Sequence, residues 1–131
     1  MILRLYLLTL VVYCSIDFLW VNLIIKQWFQ KEVGPLMADK INWAPAILFY
    51  LLYPASLILF AIYPSLKSAY SYHALLYGAA LGLTCYAAYD LTNLATLKGW
   101  PIKLAICDMV WGAFISGITS VIVYSLYKRF F

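Results

Sequence analysis

Charge is what this sequence has least of. Of 131 residues only 11% are Asp, Glu, Lys or Arg, while 66% are hydrophobic and the mean hydropathy is +0.90. A soluble domain carries about 25% charged residues and needs polar surface to cover its core, so a soluble globular fold is excluded. No Ser-, Gly- or Pro-rich stretch and no block of like charge divides the chain, which argues against a second domain on a linker. Histidine occurs once, as His73. Cysteine occurs three times, at Cys14, Cys85 and Cys107, never with C-x-x-C spacing, so neither a disulfide framework nor a zinc site is indicated. The G-x-S-x-G, H-E-x-x-H, P-loop and dinucleotide-binding signatures are missing as well. The nine Lys and Arg residues sit singly at the ends of apolar runs. They read as anchors at lipid headgroups rather than as a nucleic-acid surface.

What the chain does have is length in its apolar runs. A membrane span needs about 20 apolar residues, and four runs qualify, at about 2–25, 43–63, 72–97 and 104–126. The expectation is an all-α, four-helix transmembrane bundle forming one domain over 1–131. The first run reads as a retained span and not a signal peptide: it is too long, contains Asp17 and lacks a small-residue cleavage site. Between the first two spans, "KQWFQKEVGPLMADKINW" mixes charges with apolar residues and is broken by Gly34-Pro35. This predicts an interfacial segment over about 27–42, with Trp28, Trp43 and Trp100 marking the same membrane boundary. Pro54 should kink the second span. An even number of spans puts both termini on one side. Lys and Arg then divide four against five between the two sides, so the positive-inside rule does not orient the chain.

The informative residues are the polar ones inside the spans. Asp17, Asp90 and Asp108 each lie about 8–13 Å below the boundary on the tryptophan side, at 1.5 Å per residue. Three helices therefore place a carboxylate in one leaflet, and the other leaflet holds none. Tyr13 precedes Asp17 by four and Tyr86 precedes Asp90 by four; Trp20 follows Asp17 by three and Trp111 follows Asp108 by three. Positions at i±3 and i±4 share a helix face, so each Asp has an aromatic neighbour that can shield it from lipid. Asn93 joins the face of Asp90, whereas Asn22 is about 140° round from Asp17. The candidate ligand-binding set is thus Asp17, Asp90, Asn93, Asp108, Tyr13, Tyr86, Trp20 and Trp111. Gly78-x-x-x-Gly82 on the third span, and Gly112, Ser116 and Ser120 at steps of four on the fourth, predict a close antiparallel pair. No catalytic residue, metal ligand or cofactor is assigned.

"YAAYDLTNLATLKGWP" at 86–101, followed by "CDMVWG" at 107–112, resembles a family of small bacterial membrane proteins, domain of unknown function 2177. The run from Asp90 to Leu97 is the most specific part, and the Asp17–Trp20 pair also fits. The resemblance implies a four-span protein of the bacterial inner membrane and supplies no activity. An Asp costs about 2.5–3.5 kcal/mol at a span centre, and such residues mark functional sites by default. Grouped carboxylates repel, which points to a shared proton, a cation or a donor-rich ligand. Three function classes follow. The first is binding or transport of a cation, a proton or a polar small molecule. The second is a membrane enzyme acting on a lipid or lipid-linked substrate. The third is a structural or partner subunit in which the Asp residues only lock the bundle. Beyond membrane lipids, the expected partner for transport is a second copy, a homodimer as in small multidrug exporters, an analogy of size and of an intramembrane acid.

Overall fold

The computed structural model describes residues 2–36, 40 and 42–131, and within them it contains four helices long and apolar enough to cross a membrane and no strand. They are α1 (Ile2–Val33), α2 (Trp43–Leu66), α3 (Tyr72–Thr96) and α4 (Ile102–Phe130). Lipid-facing positions carry large apolar side chains that the bundle leaves exposed, among them Leu3, Phe18, Leu23, Phe60, Leu76 and Phe114. In hydrocarbon this is the expected inversion, because helices satisfy their backbone groups internally and the outer surface needs no polarity.

Small residues decide which helices meet most closely. The most extensive contact in the protein is between α3 and α4, joined by a short turn. A Cβ at Gly78 would overlap the Ser120 side chain and the Ser116 carbonyl oxygen. At Gly82 it would overlap the Gly112 carbonyl oxygen and Ser116, and at Gly112 the ring of Tyr86. Steps of four along both helices, in opposite directions, thus pair Gly78 with Ser120, Gly82 with Ser116 and Tyr86 with Gly112. In the turn, Gly99 takes φ +73°, a left-handed conformation that a Cβ would strain.

Toward the chain termini, α1, α2 and α4 close a core of Leu5, Tyr13, Tyr53, Leu57, Ile62, Ile115 and Val123. The α2–α3 connection is latched there, with the Ser68 carbonyl accepting from Tyr124 Oη at 2.6 Å and Lys128 Nζ at 3.1 Å. Pro54 does not end α2. The carbonyl beside the one it frees, that of Leu51, accepts a hydrogen bond from Tyr6 Oη at 2.7 Å. The helix then widens to a π-turn at Ile58–Ile62.

The largest departure from expectation is at the end of α1. The helix passes Ile25 through a π-turn, Val21–Ile25, and continues over Lys26–Val33. Of the segment 27–42, residues 37–39 and 41 lie outside the described residues. Lys26, Lys31 and Glu32 are exposed on the continued helix, while Val33 and Phe29 pack on Trp100, Ala105 and Leu94. Asp17 and Val33 are separated by about 24 Å of helix, but Trp111 and Ala105 by only about 9 Å. Because Asp17 meets Trp111 and Val33 meets Ala105, α1 beyond Asp17 is inclined across the end of the α3–α4 hairpin. Its π-turn lies within that inclined stretch. Trp43 is exposed, but Trp100 is only 9% exposed. Trp100 therefore fills the seam between α1 and the hairpin rather than facing headgroups.

The α3–α4 seam yields a prediction. Gly82→Ala should cost about 1–3 kcal/mol through overpacking against backbone, read as a lowered unfolding midpoint in detergent. The outward-facing change Ala88→Leu should stay within about 0.5 kcal/mol.

Candidate functional site

Continuing the α3–α4 register by one more step of four brings Asp90 opposite Asp108. Their carboxyls are neighbours, six residues from Thr96 on one helix and six from Ile102 on the other. Asp17 comes to the same place from α1. All three line one cavity of about 450 Å³, together with Trp20, Val21, Ile25 and Phe29 of α1 and Phe49 and Tyr50 of α2. The rest of the wall is Cys85, Tyr86 and Tyr89 of α3 with Leu104 and Trp111 of α4. The chamber extends from the Asp layer toward the end of the bundle that carries Phe29 and Leu104.

The two halves of the acidic layer are held differently. Asp17, 6% exposed, accepts from Tyr50 Oη on one carboxyl oxygen and from Trp111 Nε1 at 3.4 Å on the other. Trp111 is in turn stacked on Trp20, with ring centroids 4.3 Å apart and planes 8° from parallel. Asp90 is 1% exposed, and its Oδ2 has no hydrogen-bond partner. The Trp100 indole N–H, packed edge-on against Tyr89 and Phe29, is also buried without a partner. Buried polar atoms are rarely left so; this carboxyl oxygen lies beside the Asp108 carboxyl, and a proton shared between the two acids would satisfy it.

Behind the chamber stands a layer of tyrosines. Tyr13 Oη and Tyr86 Oη are 2.6 Å apart, and Tyr53 Oη meets Ser116 Oγ at 2.6 Å. Tyr13 packs on Tyr50 and Tyr53, with ring centroids 6.2 and 5.1 Å away. Such rings give a polar floor a stiff frame while presenting apolar faces to the bundle.

Of the sequence-derived set, Asp17, Asp90, Asp108, Tyr86, Trp20 and Trp111 line the chamber. Tyr13 is fully buried behind Tyr86 and is not part of the wall. Asn93 is half-buried on α3 one turn beyond Asp90 and does not line the wall either. Tyr50, Phe49, Tyr89 and Phe29 were missed. The second span holds no acid, so nothing drew attention to Tyr50. Its one signal was the Tyr50–Tyr53 pair beside Pro54, two phenols on one face of a helix. Among the described residues no three His, Cys, Asp or Glu side chains converge on a metal-sized site: Asp17 has its own donors, apart from the Asp90–Asp108 pair.

The predicted membrane protein family, domain of unknown function 2177 (DUF2177), matches residues 2–125, and the chain belongs to that family. No curated protein and no solved structure matches it. It is accordingly a membrane protein with four apolar helices.

The hydrogen bonds of Asp17 generate a second prediction. Tyr50→Phe should cost about 1.5–3 kcal/mol, the range for a hydrogen bond to a charged group. Asp17→Asn should cost less in the Tyr50→Phe background than alone, a coupling of about 0.5–3 kcal/mol in a double-mutant cycle by thermal unfolding.

Proposed function

We propose that the chamber binds an organic cation, a protonated amine or quaternary ammonium with an apolar body, and that the chain serves binding or transport of such a molecule. One observation carries this reading: carboxylates and aromatic faces share a single cavity. Asp17, Asp90 and Asp108 supply negative charge, and Trp20, Tyr50, Tyr86, Tyr89 and Trp111 supply ring faces. Cations are held over such faces with about 0.5–2 kcal/mol each, most strongly where water is excluded. A volume of about 450 Å³ falls in the range of about 300–1,000 Å³ typical of small-molecule sites. Adjacent carboxylates repel in a medium of low polarity, so a positive charge beside Asp90 and Asp108 relieves a cost that the bundle leaves standing. A shared proton does the same when the ligand is away, which makes proton and cation competitors for one site.

The location we propose is the inner membrane of bacteria, supported by spans that are apolar helices rather than barrel strands. The inclined stretch Lys26–Val33, with Trp28 and Lys31 on it, suits a membrane boundary. Transport further calls for a homodimer, since four helices enclose a chamber but leave little room for a path through. A purely structural role has one observation in its favour, the two donors already on Asp17. Asp90 has no comparable pair of donors among the described residues; its neighbour is the Asp108 carboxyl.

The third prediction follows. Benzyltrimethylammonium should quench the tryptophan fluorescence of the purified protein saturably. Asp90→Asn and Asp108→Asn should each weaken binding by about tenfold, the loss of about 1.4 kcal/mol, with little change in melting temperature. Affinity should fall as the pH is lowered, because protonation discharges the carboxylates. Unchanged binding in Asp90→Asn, with sharply lowered stability, would leave the structural role standing and remove the binding one.

A further inference from the structure

Below Tyr50 and Asp17, α1 and α2 are in close contact through Tyr13, Tyr53, Leu5 and Leu57. Above them the two helices part. The gap is a second cleft, of about 570 Å³, on the other side of α1 from the acidic chamber. Its floor is Cys14 and Phe18, its walls are Val21, Ile25 and Ala46 with Asn22, whose amide donates to the Phe18 carbonyl, and its rim carries Lys26 and Trp43. From Cys14 to Lys26 is about 18 Å along α1. The cleft is therefore a long apolar slot with a cation and an indole at one end, and that end is the headgroup level of a bilayer in which the four helices span.

We propose that this cleft holds one anionic phospholipid of the surrounding membrane, with an acyl chain between α1 and α2 and the phosphate at Lys26. The gradient along the slot sets the occupant. An apolar floor excludes a soluble anion, because a free phosphate gains nothing from Phe18 and Ala46. The Lys26 ammonium at the rim favours a negative head over a zwitterionic one, since a basic residue near a membrane surface attracts anionic lipid by about 1 kcal/mol. Trp43, 63% exposed, is the residue type that settles at the same depth as the head. Helix walls on both sides distinguish the slot from the open face of a helix, where lipid exchanges freely. The inference does not rest on cation binding in the acidic chamber. Among the described residues the two sites share Val21, Ile25, Phe29 and Tyr50, and no carboxylate lines the cleft.

The test uses the full chain extracted from nanodiscs of equal parts phosphatidylglycerol and phosphatidylcholine, with retained lipid counted by native mass spectrometry. The wild type should keep one phosphatidylglycerol in preference to phosphatidylcholine. Lys26→Gln should reduce that preference by about fivefold. Ala46→Phe, which fills the slot, should remove the retained lipid of either kind. Lys103→Gln, a lysine outside the cleft near the same end of the bundle, should leave the preference unchanged. Asp90→Asn should also leave it unchanged, which keeps failure of the lipid site distinguishable from failure of the cation site. Equal retention of the two lipids by the wild type, or equal effects of Lys26→Gln and Lys103→Gln, would overturn the proposal by reducing it to the general attraction of a basic protein for an acidic membrane.

Discussion

The close approach of α3 and α4 is the constraint from which the rest follows. Backbone meets backbone at Gly82 and Gly112, and the register fixed there has no slack, since a Cβ at Gly78, Gly82 or Gly112 would overlap its neighbour. In a membrane, helices gain little by hiding apolar side chains from lipid. Packing of this kind, with small residues four apart, is what holds them together. The same steps of four that place glycine against serine place Tyr86 against Gly112 and Asp90 against Asp108. The acidic pair is thus a product of the packing register, set where the turn with Gly99 swings Trp100 over the seam.

The other two helices supply what the hairpin lacks. An Asp inside the bilayer costs about 2.5–3.5 kcal/mol unless it finds partners. Asp17 finds them on different elements, Tyr50 on α2 and Trp111 on α4, and so ties three helices together at one point. That bond also explains why α2 belongs to the site without contributing an acid. The tyrosine layer of Tyr13, Tyr86 and Tyr53 with Ser116 continues the pattern one turn deeper. Polar contacts occupy the middle of the bundle, and apolar packing closes it toward the termini.

Much of this was legible in the sequence because it depends on spacing along single helices. Four spans, the small-residue stripes and the common depth of the three Asp residues all follow from counting residues at 1.5 Å each. What was not legible depends on contacts between elements. The end of the first span is placed at Ile25 because Lys26, Lys31 and Glu32 begin a charged stretch that reads as a separate interfacial segment, yet those charges sit on the outside of a continued helix whose inner side, Phe29 and Val33, finds Trp100. Trp100 looked like an interface anchor for the same reason: its type was visible and its neighbours were not. Tyr50 was invisible because a tyrosine in an apolar span has no sequence mark that separates a wall residue from a lipid-facing one. Asn93 shares a helix face with Asp90 but is not among the residues lining the chamber.

The unequal treatment of the carboxylates is the last step. Among the described residues Asp90 Oδ2 and the Trp100 N–H are buried without a partner at bonding distance, although Trp100 and Asp108 both lie beside Asp90. One acid is tied down by two side chains, and two are set side by side against an aromatic cavity. Tied down, Asp17 fixes the positions of Tyr50 and Trp111, which are walls of that cavity. Asp90 and Asp108 are instead set against one another, where low polarity makes their repulsion strong unless a charge or a proton relieves it. The first arrangement stabilises the frame, and the second does not. Tyr50 joins them to the second cleft, because its side chain lines both the acidic chamber and the slot between α1 and α2.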